Sequence, residues 1–148
     1  MTLERLIDRG HVVAGLRVPD KAHLLEQLAR RAAAELSLNE QAVFQELRKR
    51  EALGSTGLGK GFALPHARIE SLPGMFTLFV RLARPIDFQA IDGRPVDLII
   101  LLLTPQGADN QHLTTLAALS RPLRDEALLN RLRQAADADS LYALLGAV

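Results

Sequence analysis

The chain has 148 residues, 48% of them hydrophobic, and its 18 basic and 17 acidic residues leave a formal net charge of +1. This length suits a single domain, residues 1–148, with a sizeable buried core. The charge balance offers no general field that would attract nucleic acid or a membrane surface. The lack of cysteine excludes disulfides, thiolate catalysis and cysteine-ligated zinc.

Neither the first residues nor the aliphatic runs of the chain predict a targeting or membrane-spanning segment. Charges interrupt the first fifteen residues before a signal-peptide core could form. The longest aliphatic run, Leu98 to Leu103, is too short to span a bilayer. We therefore expect a cytoplasmic protein without direct membrane insertion.

The first third of the chain has a helical period. Asp20 can cap a helix that carries one aliphatic stripe. Ser37, followed three residues later by Glu40, has the spacing of a capping box for a second helix. Gly54 is a plausible end for that helix. The residues expected on the buried faces are Leu24, Leu25, Leu28, Ala32, Leu36, Val43, Phe44 and Leu47.

The middle third changes to strand patterns. Residues 62–64 predict a short strand, and residues 75–83 predict a longer one. Asp92-Gly93 is a hairpin turn signal. Residues 96–103 are almost entirely aliphatic, as in a central strand covered on both faces, and Pro105 and Gly107 follow.

The last third returns to helix. Asp109 predicts a capped helix, Pro122 interrupts the pattern, Asp125 restarts it, and a short helix follows at 140–145. Helices on both sides of a set of strands, one pair of them a hairpin, predict an α/β domain. We expect a three-layer α/β/α sandwich with a mixed central sheet flanked by helices.

The stretch GLGKGFALPHAR, residues 57–68, raises the first functional question. With Gly54, Gly59 and Lys60 it matches the spacing of a nucleotide-binding glycine loop. However, Gly61 stands where a Ser or Thr should hold magnesium. The stretch also follows a helix and leads into a strand, which is the reverse of the order in such loops. A connector that presents His66 is the better interpretation.

His66 follows Pro65, whose ring stiffens the local backbone. Neutral imidazole is a good nucleophile near neutral pH and can accept a phosphoryl group as a labile phosphoramidate. A phosphoryl site also needs donors for the three oxygens. A lone histidine after a strand is more often a hydrogen-bonded surface residue, so the pattern alone leaves both interpretations open.

Candidate donors lie nearby and farther along the chain. Ser55 and Thr56 offer hydroxyl and backbone N–H groups, and Arg50 offers a planar guanidinium. His112 falls near the start of the helix assigned to Asp109, where free N–H groups favour an anion. Turn chemistry and helix capping also explain each of these residues. No histidines have metal-ligand spacing on a helix, so we expect no metal and no cofactor.

Taken together, Arg50-Glu51, GSTGLGKGFALPHAR and ADNQHLTTLAALS resemble the type-2 enzyme IIA domains of the bacterial phosphotransferase system. This family includes mannitol, fructose and nitrogen-regulatory members. The resemblance runs from Leu3 to about residue 145. Ala67 stands where the family often has glycine, and Lys60 and Arg68 add charges that bear on partner identity.

The resemblance implies a role for several residues. His66 matches the phosphorylated histidine, His112 the second active-site histidine that supports the phosphoryl group, and Arg50 the adjacent arginine. Ser55 and Thr56 match loop residues at the rim. The donor it implies is an HPr-like histidine phosphocarrier, charged from phosphoenolpyruvate through an enzyme I.

Within the family, the opening residues 3–29 look like the nitrogen-regulatory type. We expect a regulatory phosphocarrier whose phosphorylation state controls binding to target proteins, with Leu58 and Phe62 as apolar docking residues at the rim. The alternatives are a sugar-specific IIA component that passes its phosphoryl group to a IIB domain, and a binding module without covalent chemistry. The pattern leaves oligomeric state open.

Overall fold

The computed structural model describes residues 2–147. Its helices are Leu3–Leu6 (α1), Lys21–Leu36 (α2), Glu40–Ala52 (α3), Asp109–Ser120 (α4), Glu126–Gln134 (α5) and Ala138–Gly146 (α6), with single 3-10 turns at Arg9–His11 and Pro122–Arg124. Its strands are Val12–Leu16 (β1), Gly57–Gly59 (β2), Phe62–Ala63 (β3), His66–Ile69 (β4), Phe76–Ile86 (β5) and Val96–Pro105 (β6). Over this range, no helix combines the length and the apolar character needed to span a membrane.

The strands form one mixed sheet in the order β1-β5-β6-β3-β2, and β4 also pairs with β6. β5 and β6 are antiparallel, whereas β3 and β4 run parallel to β6 in succession along its other side. β3 pairs near Leu98, and His66 of β4 pairs with Leu102. The predicted mixed sheet is confirmed, and within residues 2–147 the one strand that pairs with β4 is β6.

Two apolar cores lie on opposite faces of the sheet, and β6 contributes to both. Its side chains alternate, so that Ile99, Leu101 and Leu103 pack with α2 and α3. The intervening Leu98, Ile100 and Leu102 pack with the helices of the other layer, including α4, α5 and α6. The aliphatic run was therefore a central strand covered on both faces, and the predicted three-layer arrangement is confirmed.

The start of α2 was predicted correctly, but the starts of α3 and α4 were not. Asp20 accepts a hydrogen bond from the backbone N–H of His23, as a capping residue does. Ser37 instead ends α2 in a left-handed conformation, and Asn39 caps α3 by accepting from the N–H of Ala42. Asp109 is the first residue of α4 rather than its cap.

The glycine stretch is a hairpin rather than a loose connector. β2 and β3 pair in antiparallel fashion around a tip at Lys60 and Gly61, both with positive φ. The short strands β1, β2 and β4 and the first helix were absent from the sequence-based prediction, since segments this short carry little periodic signal. The Asp92-Gly93 signal was correct: Gly93, at φ +73°, lies in the long connection between β5 and β6.

Candidate active site

His66 opens β4, at the side of the sheet where helices of both layers approach. Its neighbours Ala67 and Ile69 are buried against α2 and α3. Because strand side chains alternate, His66 and Arg68 project to the opposite face, toward α4. Proline at position 65 ends the link from β3, and its carbonyl accepts from the N–H of Leu102 on β6. The nucleophile candidate is thus mounted on a strand that the central strand holds in place.

The hydrogen bonds of His66 determine which ring nitrogen carries the proton. Nδ1 lies 2.8 Å from the carbonyl oxygen of Leu64, which can only accept. Nδ1 therefore carries the hydrogen in the neutral ring. Nε2 lies 3.2 Å from Nε of Arg50, which can only donate. The lone pair available for chemistry is consequently on Nε2.

Arg50 reaches His66 from the last turn of α3. Its Nε donates to the imidazole, and its terminal nitrogen donates to the carbonyl of Gly54 at 2.9 Å. Burial lowers the pKa of His66 below its ordinary value of 6.5, and the positive charges of Arg50 and Arg68 lower it further. The bond to the Leu64 carbonyl opposes this shift. The net direction keeps the ring neutral and nucleophilic near neutral pH.

His112 projects from the first turns of α4 toward His66. The two ring centroids are 5.3 Å apart and the planes are inclined by 58°. His112 is only 3% exposed, and its Nδ1 lies 2.6 Å from the hydroxyl of Thr104 on β6. Burial, followed by the charge of Arg68, lowers the pKa of His112 to about 4. Its own backbone N–H bonds to Ala108, so only its side chain can serve the site.

Arg68 is a site residue that the sequence-based prediction treated only as a change to the partner surface. It lines the same cavity as both histidines, and its charge lowers the pKa of each. Its Nε is buried and lies 3.1 Å from a carboxylate oxygen of Asp109, and among residues 2–147 this nitrogen has no hydrogen-bond partner. The geometry describes an ion pair rather than a hydrogen bond. Strand alternation from His66 would have identified this residue if β4 had been recognised.

An open cavity of ≈520 Å³ lies over the two histidines. Its basic residues are Lys49, Arg50 and Arg68, and its rim includes Leu53 and Leu113, which are 83% and 62% exposed. A smaller cavity of ≈220 Å³ continues past His66 toward the hairpin. That cavity is lined by Arg50, Ser55, Thr56, Leu58, Leu64, His66, Leu116, Ala117 and Ser120.

The four rim residues predicted from the sequence have different positions. Leu58 is 46% exposed and lies beside His66 in the smaller cavity. Phe62 is 2% exposed and packs in the core with α4 and α5, so it offers no docking surface. The error arises because both faces of this short strand are covered.

The hydroxyls of Ser55 and Thr56 line the smaller cavity but have partners elsewhere. Ser55 donates to the carbonyl of Phe88 at 2.9 Å and accepts from the N–H of Gly57. Thr56, 3% exposed, directs both its hydroxyl and its backbone N–H to the carboxylate of Glu51. In this state, therefore, they shape the loop beside His66 rather than present free donors.

Taken as a whole, the site combines a neutral nucleophilic nitrogen with a positively charged surrounding. Two guanidinium groups and a second imidazole converge on a ring whose proton is held on the far side. Such an arrangement favours attack on an anionic electrophile and stabilisation of the charge that arrives with it. It does so with side chains from α3, β4 and α4.

Comparison with known proteins shows the family to which the chain belongs. The family described as "Phosphoenolpyruvate-dependent sugar phosphotransferase system, EIIA 2" matches residues 5–147, and the chain belongs to this family. Within it, a nitrogen regulatory protein of Bradyrhizobium diazoefficiens is 43% identical over 145 residues, covering 98% of this chain and 95% of that protein. A nitrogen regulatory protein of Pseudomonas aeruginosa is 37% identical, with 97% and 94% covered.

A solved structure agrees with these relatives. The crystal structure of the nitrogen regulatory protein IIA-Ntr from Neisseria meningitidis superposes with a TM-score of 0.90 at 34% identity, and 97% of this chain and 98% of that one are covered. The resemblance to type-2 IIA proteins, and to their nitrogen-regulatory members in particular, is therefore confirmed.

Proposed function

We propose that this protein is a nitrogen-regulatory IIA phosphocarrier that takes a phosphoryl group on Nε2 of His66 from an HPr-like histidine phosphocarrier. The observation that carries this proposal is the pair of hydrogen bonds that leaves Nε2 as the unprotonated ring nitrogen, facing Arg50. Family membership and the nitrogen regulatory relatives support the same function.

The transfer step balances without an added acid or base when the second ring nitrogen of the donor imidazole carries a proton. The phosphorus–nitrogen bond of that cationic donor ring breaks as the bond to Nε2 of His66 forms. The donor ring leaves as neutral imidazole, and the His66 ring takes up the positive charge while Nδ1 keeps its proton. The Leu64 carbonyl stabilises that proton, which becomes more acidic as the charge develops.

Arg50, Arg68 and His112 would hold the transferred group. Arg50 must exchange its bond to Nε2 for a bond to a phosphoryl oxygen, whereas Arg68, whose side chain is 40% exposed, lines the same cavity without bonding to His66. His112 can present Nε2–H to the group when its Nδ1 accepts from the Thr104 hydroxyl. Each contact strengthens as negative charge enters the site, which is the requirement for catalysis.

Phosphorylation would also act as the regulatory signal. A phosphoryl group brings about −2 charge. It would neutralise the basic lining of the cavity and place an anion near Leu53 and Leu113 of the larger cavity and Leu58 of the smaller one, all three exposed. A target protein that docks on those leucines would distinguish the two states.

The first experiment incubates the protein with phosphoenolpyruvate, enzyme I and the histidine phosphocarrier, and measures an acid-labile adduct. We expect labelling of the wild type and none of His66→Ala. His112→Ala should label more slowly, because one donor to the oxygens is lost. Normal labelling of His66→Ala would place the acceptor elsewhere, and no labelling of the wild type would favour a binding module without covalent chemistry.

A second experiment separates regulation from sugar transport. Target affinity is compared for the wild type and a His66→Asp mimic, and the labelled protein is offered fructose- and mannitol-type IIB domains. Affinities that differ between the two forms, with no onward transfer, support regulation. Equal affinities together with rapid transfer to a IIB domain would favour the sugar-specific alternative.

A further inference from the structure

Glu51 is a buried carboxylate that the proposed chemistry does not use. Its side chain is 5% exposed and lies next to Arg50 in the last turn of α3. One oxygen is 2.9 Å from the ammonium of Lys21, which itself is 16% exposed and also donates to the carbonyl of Phe88. A charge pair this deep in a domain costs desolvation free energy, so its partners call for an explanation.

The carboxylate of Glu51 connects by hydrogen bonds to one nitrogen of His66. It accepts from both the N–H and the hydroxyl of Thr56. The carbonyl of Thr56 accepts from the N–H of Leu64 at 3.0 Å, and the carbonyl of Leu64 accepts from Nδ1 of His66 at 2.8 Å. The Leu64 carbonyl, which accepts from Nδ1 of His66, is therefore connected to Glu51 through the backbone hydrogen bond between Leu64 and Thr56.

The same helix turn controls the other nitrogen. Arg50 donates to Nε2 of His66, and its second bond goes to the carbonyl of Gly54. The N–H of Gly54 returns to the carbonyl of Glu51 at 3.1 Å. Residues 50 and 51 thus hold both ring nitrogens, one directly and one through Thr56 and Leu64, and the two routes close into a ring.

We propose that Glu51, paired with Lys21, is a positioning residue that fixes the tautomer and orientation of His66 for phosphoryl transfer. It does not touch the phosphoryl group. It keeps the Leu64 carbonyl aimed at Nδ1, so that the Nε2 lone pair remains available. Its negative charge also favours the imidazolium that forms when Nε2 bonds to phosphorus, as a carboxylate behind a catalytic histidine does.

The test that does not depend on transfer uses the unphosphorylated protein. Nitrogen-15 chemical shifts of the His66 ring report which nitrogen carries the proton. We expect the wild type to have the Nδ1–H form, and both Glu51→Gln and Thr56→Val to populate the Nε2–H form. A purely structural role would lower the unfolding temperature and leave the tautomer of the folded protein unchanged.

A second, kinetic experiment rests on the proposed function, because it measures phosphoryl transfer to His66. Single-turnover transfer from the phosphorylated carrier should slow by about 10- to 100-fold in Glu51→Gln, in line with small misplacements of a reacting group. Thr56→Val keeps the charge and should fall between Glu51→Gln and the wild type. Asp97→Asn is the matched control, because Asp97 and Arg133 form another partly buried ion pair, five residues along β6 from the level of His66.

We expect Asp97→Asn to leave both the His66 shifts and the transfer rate unchanged. If folded Glu51→Gln and Thr56→Val both have wild-type His66 shifts and transfer rates, the positioning role of Glu51 is wrong. If Glu51→Gln does not fold, the same measurements on Thr56→Val decide the question. If the wild type accepts no phosphoryl group on His66, the proposed function fails while the tautomer measurement still decides the role of Glu51.

Discussion

His66 and His112 face each other with their ring centroids 5.3 Å apart, one on a strand and one on a helix, and both line the same basic cavity. Burial lowers the pKa of both rings, and it lowers that of His112 to about 4. These surroundings favour His66 as the proposed acceptor and His112 as the proposed supporting group, because His66 bonds to Arg50 and His112 to a hydroxyl of the central strand.

Replacement of Arg50 by glutamine should slow phosphoryl acceptance by about 100-fold, since the variant loses a charged donor aimed at the reacting centre. The rate of Arg50→Lys should lie between those of the wild type and Arg50→Gln, because lysine keeps the charge but not the planar guanidinium. The rate of labelling by phosphorylated carrier measures the effect. Arg30→Gln, which removes an exposed cation on α2, is the control and should label at the wild-type rate.

The acceptance rate should stay near its plateau down to mildly acidic pH and fall only as the His66 ring becomes protonated. The reason is that burial and the charge of Arg50 lower the pKa of His66 below 6.5. Removal of that charge in Arg50→Gln should raise the pKa and move the acidic limb to higher pH. Single-turnover rates with one donor preparation, from about pH 5 to about pH 8, provide the comparison. Superimposable limbs for the two proteins would contradict this expectation.

His112 should make folding stability depend on pH. Its pKa falls from 6.5 in the unfolded chain to about 4 in the fold, so the unfolded state binds more protons between these values. Its contribution is complete above about pH 6.5 and is lost as pH falls toward 4, by about 3 kcal/mol at most. Urea unfolding at both ends of this range should show a smaller acid loss for His112→Gln than for the wild type. An identical acid loss would show that His112 is not buried in its neutral form.

The exposed leucines at the cavity rim should contribute to carrier binding. Leu53→Ser and Leu113→Ser should raise the KM for the phosphorylated carrier by about tenfold each, with kcat little changed, as expected when a leucine no longer buries its surface in a complex. Ile91→Ser is the matched control, because Ile91 is 78% exposed but lines neither cavity at His66. A KM that rises equally in all three variants would argue against this docking surface.

Gly57→Ala should distort the loop beside His66. An added Cβ would lie 2.8 Å from the Cβ and 2.9 Å from the Cα of Ala90, so the backbone of one segment must shift. We expect a loss of about 1–3 kcal/mol in unfolding free energy and slower phosphoryl acceptance, because the adjoining Thr56 moves with it. Gly10→Ala is the control for the substitution itself, because an added Cβ there would have no atom of residues 2–147 within 4 Å apart from its own chain neighbours. Wild-type stability of Gly57→Ala would mean that this contact relaxes at little cost.

The sequence alone predicted those parts of the fold whose signals are local. The apolar stripe of α2 and the aliphatic run of β6 were predicted correctly, because each pattern is complete within a short window of the sequence. Ser37 was predicted to cap α3, but it ends α2, and Asn39 caps α3 instead. The residue type of Ser37 fits a helix start, and local patterns do not show that the preceding helix extends to it.

The candidate site was predicted in outline through the resemblance to type-2 IIA proteins, and the residues by themselves left its assembly open. Nothing local shows that Arg50 and His112 approach His66 from opposite layers of the sheet. Burial of Phe62 and the internal partners of Thr56 depend equally on tertiary packing. The position of Arg68 was within reach, because two residues on one strand share a face.

In the unphosphorylated protein, Nε2 of His66, the proposed nucleophile, accepts a hydrogen bond from Arg50. An electrophile that reacts at Nε2 must displace the guanidinium, and a neutral reagent provides no negative charge for the guanidinium to bind instead. A phosphoryl group does, since its oxygens are stronger acceptors than an imidazole. This hydrogen bond therefore favours reaction at Nε2 with an incoming group that carries negative charge over reaction with a neutral reagent.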